Sequence, residues 1–270
     1  MKIDIQSIDS EQFNIEPKKI GDIDCFLVTP KRIGVKWTHA NKIFRSSVWS
    51  ADGDLISAGF YKFPNWGECP DTFPVPKDLS KTHIVEKLDG SCLIFSHYNG
   101  QYIIRTRGTV SAYGMENAHE LDILKEKYPK LFDFTKHITT WIEDNPGRGR
   151  GISILCEWLS PSNQIVIKHD SPDIKLIGAV CHDEYTLYEQ FELDYIAELL
   201  EIPRLGYFLY GSMGTLVDEI NKFTNFEGVC IYSNRDQSIH KVKTELYLKK
   251  HRFKEHANIE SVQDLFIESD

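Results

Sequence analysis

Two short apolar segments flank the dipeptide Asn99-Gly100, and this arrangement constrains the fold more than any other feature of the sequence. The segments are residues 92–95 and 102–104. Asn-Gly between two apolar runs is the strongest short-range signal of a β-hairpin. A hairpin closed at this turn places Arg107 roughly opposite Cys92. We therefore expect Arg107-Gly108 to lie beside Gly90-Ser91, so that residues distant in sequence share one site.

A lysine lies just before this hairpin, in the run Glu86-Lys87-Leu88-Asp89-Gly90. Its position at the mouth of an apolar strand suits attack on a nucleotide phosphate. Attack requires an unprotonated amine, whereas free lysine has a pKa of about 10.4. Nearby positive charge or burial lowers that pKa. Either Lys241 and Lys243 or a bound metal is expected to supply this charge. The two lysines are also expected to contact the phosphates, because alternate residues of a strand point to the same face.

Two glutamates are candidates for the other polar contacts of such a site. Glu227 opens a predicted strand and is followed by Gly228, which permits close backbone approach. Magnesium prefers oxygen ligands, so Glu227 is the predicted metal ligand. Glu157 ends the apolar strand at residues 152–156, where it is placed to accept a hydrogen bond from a ribose hydroxyl.

The remaining pattern alternates short strands with helices. Residues 1–80 are expected to form short strands and loops, and 117–142 to be helical with a break at Pro129. Further helices are predicted at 185–201 and 216–223. Strands are predicted at 152–158, 164–168, 174–181, 226–232 and 238–248. Antiparallel strands with helices on their outer faces make an α+β domain.

Composition excludes several classes of protein. The chain has 270 residues, of which 41% are hydrophobic and 26% charged, as in soluble globular proteins. No apolar run is long enough to span a bilayer, and the N-terminus has no signal-peptide region. The six cysteines show no metal-site spacing and are expected to be reduced in the cytoplasm. The net charge of −9 is unusual for a nucleic-acid enzyme, but residues 241–254 and the segment Arg148-Gly149-Arg150 are locally basic.

Taken in order, these motifs resemble the covalent nucleotidyltransferase superfamily of polynucleotide ligases and mRNA capping enzymes. The matching segments span residues 86–243 and keep the order of the family's motifs. They are Lys87-Leu88-Asp89-Gly90, Arg107-Gly108, Cys156-Glu157-Trp158, Leu176-Ile177-Gly178-Ala179, Glu227-Gly228-Val229 and Lys241-Val242-Lys243. The resemblance implies that Lys87 is the nucleophile, that Glu157 binds ribose, and that Ile177 and Val229 pack on adenine.

A narrower resemblance lies upstream of Lys87. Phe44-Arg45 and the segment 61–68 look like the N-terminal part of phage RNA ligases that repair cleaved tRNA. The resemblance implies that Arg45 and Lys62 contact nucleotide phosphates and that the substrate is RNA. It also implies one adenylyltransferase domain, ATP-grasp-like in its core, over residues 1–250. Within it, residues 1–80 contribute phosphate contacts and 81–250 carry the motifs.

The family resemblance implies a three-step reaction. Lys87 attacks ATP, with Mg²⁺ or Mn²⁺ present, to form lysyl-AMP and release pyrophosphate. AMP then passes to the 5′-phosphate of an RNA end, and a 3′-hydroxyl displaces it. Glu86, Arg107 and the residues named above are the expected nucleotide contacts. The protein is expected to be a cytoplasmic monomer, in the host cytoplasm if phage-encoded, acting on tRNA or single-stranded RNA.

The chain departs from the family at its C-terminal end. Only 27 residues follow Lys243, so residues 251–270 are expected to form a short tail with no OB fold. ATP-dependent DNA ligases and GTP-using capping enzymes carry such a domain, which disfavours both but leaves them as alternatives. A nucleic-acid-binding module without catalysis is the alternative from another class.

Overall fold

The predicted hairpin is present in the computed structural model, which describes residues 1–145, 151–233 and 235–267. Strands β6 (Ser91–Tyr98) and β7 (Gln101–Thr106) pair with Leu93 opposite Thr106. Asn99 and Gly100 both have positive φ, as a two-residue turn of this kind requires. The register places Arg107 next to Cys92, which confirms the expected juxtaposition.

Three antiparallel sheets form the framework of the described residues. The first sheet contains β1 (Phe13–Ile20), β2 (Ile23–Pro30), β3 (Ser47–Ser50) and β4 (Leu55–Ala58), in that order. The second has the order β10-β9-β8-β6-β7, with β8 at Ile152–Leu159, β9 at Asp173–Cys181 and β10 at Thr186–Leu187. The third has the order β11-β5-β12-β13, with β5 at His83–Lys87, β11 at Tyr207–Phe208, β12 at Gly228–Ser233 and β13 at Ser238–Lys243.

Six α-helices accompany the sheets in the described part of the chain. They are α1 (His119–Lys127), α2 (Pro129–Phe132), α3 (Thr139–Asp144), α4 (Gln190–Leu200), α5 (Met213–Ile220) and α6 (Glu245–Ile267). Pro129 is the first residue of α2, as its fixed φ favours. Antiparallel sheets with helices confirm the predicted α+β class.

Three predicted elements were wrong in part. No strand forms at 164–168, because the amides of Val166 and Ile167 donate to the Asp89 carboxylate instead of to a neighbouring strand. The helix predicted from 185 starts only at Gln190, where Glu189 and Glu192 form a capping box. The strand predicted to continue to 248 ends at Lys243.

The C-terminal segment is helical as far as residue 267. Helix α6 begins at Glu245, directly after β13. The Thr244 hydroxyl accepts a hydrogen bond from the Tyr247 amide and donates one to the Phe226 carbonyl. A threonine that caps amide groups in this way starts a helix, and this signal outweighed the apolar alternation that suggested a strand. The basic segment Arg148-Gly149-Arg150 lies outside the described residues.

A buried polar cluster joins the first two sheets. The Arg105 side chain is fully buried and donates to the hydroxyls of Ser57 at 2.7 Å and Ser46 at 2.8 Å. Ser57 also accepts from Ser96, which lies on the hairpin's other strand, β6. Ser46 in turn donates to the Arg107 carbonyl at 2.8 Å. These bonds fix the backbone of Arg107 against the N-terminal sheet.

The N-terminal part also reaches the third sheet. The amide of Lys241 donates to the Pro64 carbonyl at 3.0 Å, and the Trp66 amide donates to the Lys241 carbonyl at 2.9 Å. The segment after β4 therefore runs along β13 and brings residues 60–66 to the face that carries Lys241 and Lys243. No helix in the described ranges is long and apolar enough to cross a membrane.

Candidate active site

Most of the predicted site residues line one cavity of about 600 Å³ between the three sheets. This volume is within the range of small-molecule sites. The wall includes residues from before and after the hairpin, from β8 and β9, and from β12 and β13. The predicted residues on the wall are Arg45, Glu86, Lys87, Arg107, Glu157, Ile177, Glu227 and Lys243.

Lys87 and Lys243 meet across a glycine. In the third sheet, Gly228 pairs with Lys87 on one side and with Lys243 on the other. Gly228 has φ near +157°, and a Cβ there would lie 2.0 Å from the Val242 carbonyl oxygen. A side chain at this position would therefore separate the strands. Its absence brings the preceding residue, Glu227, between the two lysines.

Glu227 is the buried carboxylate at the centre of the site. Its Oε1 lies 2.7 Å from Nζ of Lys87 and 3.5 Å from Nζ of Lys243. Burial by itself lowers the pKa of Lys87, but the Glu227 carboxylate and, less directly, Glu157 outweigh it, so the pKa of Lys87 is raised. The expectation that neighbouring cations lower the pKa of Lys87 is therefore wrong for the protein without ligands. The amine is held here as an ammonium ion.

Glu86 also lines the cavity, but its carboxylate is already bound. Its Oε1 accepts from Nζ of Lys175 at 2.9 Å and from the Gly206 amide at 3.0 Å. These contacts link β5 to β9 and to the chain before β11. The predicted nucleotide contact of Glu86 therefore competes with contacts that hold the wall together.

Glu157 points into the same cavity from β8. Burial raises its pKa to about 7, with opposing contributions from Lys87 and from the Gly90 amide and a further increase from Glu227. The backbone of Gly90 packs closely on this strand, since a Cβ on Gly90 would lie 2.4 Å from the Trp158 carbonyl oxygen. The glycine after Asp89 thus lets the Lys87 segment approach Glu157.

The raised pKa of Glu157 predicts that Glu157→Gln changes stability in a pH-dependent way. The folded chain holds a proton on this group between its ordinary pKa of 4.5 and about 7, where the unfolded chain releases it. Stability from this group is therefore lost as pH rises through that window. We measure the free energy of unfolding in urea for the variant and for wild type. The difference in favour of the variant should rise by about 1–3 kcal/mol from pH 5 to pH 8. Glu16→Gln, on the exposed face of β1, should give equal differences at both pH values. An unchanged difference for Glu157→Gln would contradict the prediction.

A group of cations lies beside the cavity, toward the N-terminal sheet. Burial, followed by the charges of Lys62 and Arg45, lowers the pKa of Lys241 to about 8. Burial and Arg107 lower the pKa of Arg45 to about 10. Lys241 and Lys62 do not line the 600 Å³ cavity itself. Arg45, Lys62 and Arg107 line one pocket next to this cavity, and like charges crowded in this way favour the binding of an anion.

The apolar part of the wall differs from the prediction in one position. Ile177 lines the cavity, as expected, but Val229 is fully buried in a separate cluster with Ile84 and Leu216. Alternation along β12 turns Val229 away from the face that carries Cys230 and Tyr232. Val229 therefore does not line the cavity in this structure, and its contact with adenine stays a prediction.

Phe60 supplies an aromatic surface that the sequence analysis missed. It lines the cavity and packs on β9, where a Cβ on Gly178 would lie 2.6 Å from the Phe60 ring. Phe63 adds a second ring, edge-on to Phe60 at 5.8 Å. The glycine in the segment 176–179 was the available signal, since it indicates a neighbour in close contact.

Asp89 and Tyr247 were also missed as wall-forming residues. Asp89 is buried, and its carboxylate accepts from the Val166 and Ile167 amides and from the Tyr247 hydroxyl at 2.8 Å. It therefore ties the loop after β8 and the start of α6 to the Lys87 strand. The segment Lys87-Leu88-Asp89-Gly90 thus contains an aspartate that holds neighbouring segments in place.

The metal prediction rests on Glu227 alone. No group of three or more His, Cys, Asp or Glu side chains suited to a metal ion exists within the described ranges. Magnesium commonly binds proteins through one or two carboxylates and completes its shell with waters and substrate phosphates. A buried carboxylate facing the cavity fits that requirement, so the site is compatible with a cation that arrives with a nucleotide.

Comparison with known proteins gives matches in structure only. No protein-family model and no curated protein matches the sequence. An archaeal ATP-dependent RNA ligase aligns with 87% of this chain at 12% identity and a TM-score of 0.56. A putative ATP-dependent DNA ligase from Aquifex aeolicus aligns with 88% at 14% identity and a TM-score of 0.54. An RNA ligase from Naegleria gruberi, in a mutant apo form, aligns with 93% at 12% identity and a TM-score of 0.53.

These matches cover different shares of the other proteins. The chain spans 59% of the archaeal ligase, 60% of the Aquifex protein and 83% of the Naegleria ligase. Identities this low show a common fold and do not distinguish RNA from DNA as substrate. The antiparallel sheets and helices that surround the Lys87 cavity form the fold of the nucleotidyltransferase domain of ATP-dependent polynucleotide ligases.

Proposed function

We propose that this protein is an ATP-dependent RNA ligase that joins 5′-phosphate and 3′-hydroxyl ends through lysyl-AMP and RNA-adenylate. The observation that carries the proposal is the contact of Lys87 with Glu227 at 2.7 Å inside a nucleotide-sized cavity. The Lys87 amine is the available nucleophile of this motif, because the Asp89 carboxylate is already bound by the Val166 and Ile167 amides and the Tyr247 hydroxyl. The carboxylates of Glu157 and Glu227 beside it suit ribose and cation contacts.

The first step needs a free amine, which the ion pair with Glu227 prevents. A divalent cation bound at Glu227 would compete with Lys87 for the carboxylate and remove the main cause of its raised pKa. Lys87 then attacks the α-phosphorus of ATP, the bond to the β-phosphate oxygen breaks, and pyrophosphate leaves. Lys241 and Lys243 lie on the strand face beside Lys87 and neutralise the charge that develops on the phosphates.

The cavity wall offers both apolar and polar contacts that suit a nucleoside. Ile177 and Phe60 offer an aliphatic and an aromatic surface for the base. Glu157, on the neighbouring strand β8, is placed to accept a hydrogen bond from the ribose. Arg45, Arg107 and Lys62 extend the positive surface beyond the lysines, toward the triphosphate and the polynucleotide. We place all of these contacts within one adenylyltransferase domain over residues 1–250.

RNA as the substrate is supported by the N-terminal sheet. The resemblance of Phe44-Arg45 and residues 61–68 to phage tRNA-repair ligases concerns a segment that lies directly against β13. Arg45 and Lys62 lie among the cations beside the cavity, which suits the phosphate contacts that the resemblance implies. Nicked DNA as substrate and GTP as donor are the alternatives that the experiment below separates.

The test follows label from nucleotide to polynucleotide. Wild-type protein is incubated with magnesium and with ATP or GTP labelled on the α-phosphate, and then with 5′-phosphorylated single-stranded RNA or nicked DNA. We expect label from ATP on the protein, its transfer to RNA, and release as AMP when the ends join. Label from GTP alone, or sealing of nicked DNA but not RNA, would contradict the proposal. RNA binding without labelled protein would favour a non-catalytic module.

A further inference from the structure

A second, smaller pocket adjoins the active-site cavity on the side of the N-terminal sheet. It has a volume of about 350 Å³ and lies between the end of β2 and the cation group described above. We call it the Trp37 pocket. Its functional side chains are five cations and one indole: Lys31, Arg32, Arg45, Lys62, Arg107 and Trp37.

The charge of this pocket is opposite to that of the whole protein. The chain carries a net charge of −9, yet among the residues that the structure describes no carboxylate lines the Trp37 pocket. Glu68 is the acid that acts on Lys62, and it is already bound to Asn65. Lys31 also has an acid nearby, Asp9, which is exposed and already bound to Gln12. With so few acids beside them, five neighbouring cations repel one another unless an anion joins them. The pocket is therefore built for a polyanion.

Two of the cations belong to both pockets. Arg45 and Arg107 line the Trp37 pocket and also the cavity that contains Lys87. Arg107 is held by the bond from Ser46 to its carbonyl, and Arg45 is partly buried beside it. An anion bound at these two arginines thus lies at the passage from one pocket to the other.

We propose that the Trp37 pocket binds the 5′-terminal segment of the polynucleotide that receives AMP, with phosphates on Lys31 and Arg32 and a base against Trp37. This inference rests on the proposed function. The 5′-phosphate must reach the adenylate on Lys87, and the nucleotides attached to it must leave the active site along a positive surface. The Trp37 pocket begins at the shared arginines and provides that surface.

Trp37 favours a polynucleotide over the triphosphate of ATP as occupant. A triphosphate has no ring, whereas aromatic side chains in positive grooves stack on the bases of single strands. Trp37 and Phe13 make a T-shaped contact with ring centroids 5.8 Å apart, and Nζ of Lys62 lies over the Trp37 ring at 5.7 Å from its centroid. The indole is thus held in place beside a cation, with part of its surface still exposed.

The step served by this pocket is the transfer of AMP. An oxygen of the 5′-phosphate attacks the phosphorus of lysyl-AMP, and a new P–O–P bond forms. The P–N bond to Lys87 breaks, and the amine leaves and takes up a proton. No other reactant is needed. The pocket residues hold the attacking strand and make no bond to the reacting phosphorus.

The test separates loading of Lys87 from use of the RNA. The variants are Lys31→Ala/Arg32→Ala and Trp37→Ala. The matched control is Lys18→Ala/Lys19→Ala, which removes the same charge at the opposite end of the β1–β2 hairpin. Three quantities are measured: lysyl-AMP formation from labelled ATP, single-turnover transfer of AMP to 5′-phosphorylated RNA, and RNA affinity by fluorescence anisotropy at several salt concentrations.

We expect normal lysyl-AMP formation in every variant, with slower transfer only in the pocket variants. Lys31→Ala/Arg32→Ala should weaken RNA binding about tenfold and make the salt dependence shallower by a slope of about 1.4. Trp37→Ala should weaken it about five- to a hundredfold, and Trp37→Phe should restore most of the loss. Normal loading of Lys87 also shows that the variants are folded.

Two results would overturn the inference. Lysyl-AMP formation that falls as much as transfer would assign the pocket to the triphosphate of ATP. RNA affinity equal to that of the control variant would remove the pocket from RNA binding. If wild-type protein forms no lysyl-AMP, the proposed function fails, but the binding measurements with 5′-phosphorylated RNA still decide whether this pocket holds a polynucleotide.

Discussion

Lys87→Ala should form no covalent adenylate, with labelling by ATP reduced at least about a thousandfold, because removal of a nucleophile eliminates the covalent step itself. We expect no other lysine to take over the attack on ATP. Lys243 also contacts Glu227, but from the neighbouring strand β13 and at 3.5 Å. The measurement is the mass of the intact protein after incubation with ATP and magnesium. Wild type should gain the mass of one AMP on the peptide that contains Lys87.

Loss of Lys87 also removes a partner of a buried carboxylate, so folding needs its own control. RNA that already carries AMP on its 5′-phosphate bypasses the amine, and the variant should still join such RNA to a 3′-hydroxyl. Lys127→Ala removes another lysine with a carboxylate partner, Asp173 at 3.3 Å, away from the cavity, and should label normally. Equal labelling of Lys87→Ala and wild type would end the assignment of Lys87.

Local signals in the sequence predicted the parts of this fold that depend on neighbouring residues. Asn99-Gly100 alone defines a hairpin and its register, and the register places Arg107 beside Cys92. Gly228 was expected to permit close approach, and the structure shows why, since a Cβ there would enter β13. Such predictions succeed because turn chemistry and glycine positions constrain the backbone directly.

Predictions failed where long-range contacts decide the structure. Val166 and Ile167 look like a strand, but Asp89, far away in sequence, binds their amides. Phe60 reaches the cavity only because the N-terminal sheet packs on the second sheet. The pKa of Lys87 was expected to fall because the lysines were apparent in the sequence, whereas the 2.7 Å contact with Glu227 was not. Distances between segments are set by packing, which one sequence does not reveal.

Glu227→Gln tests two opposite consequences of the contact between Lys87 and Glu227. Without the carboxylate, the main cause of the raised pKa of Lys87 is removed, so more of the amine is free near neutral pH. However, the cavity also loses the carboxylate proposed to bind the cation that accompanies ATP. We expect the second effect to dominate, since loss of a charge-stabilising group in an active site typically costs about 10²–10³ in rate. The residual rate should reach its plateau at lower pH than in wild type.

The measurement is the initial rate of lysyl-AMP formation between pH 6 and 9 at several magnesium concentrations. Glu86→Gln is the matched control, because Glu86 lines the same cavity but is bound to Lys175 and to the Gly206 amide. The rate of lysyl-AMP formation by Glu86→Gln should fall by less than about tenfold. A Glu227→Gln variant that labels as fast as wild type, or faster, would show that Glu227 serves only as the counter-ion of Lys87. The cation that accompanies ATP would then require other ligands.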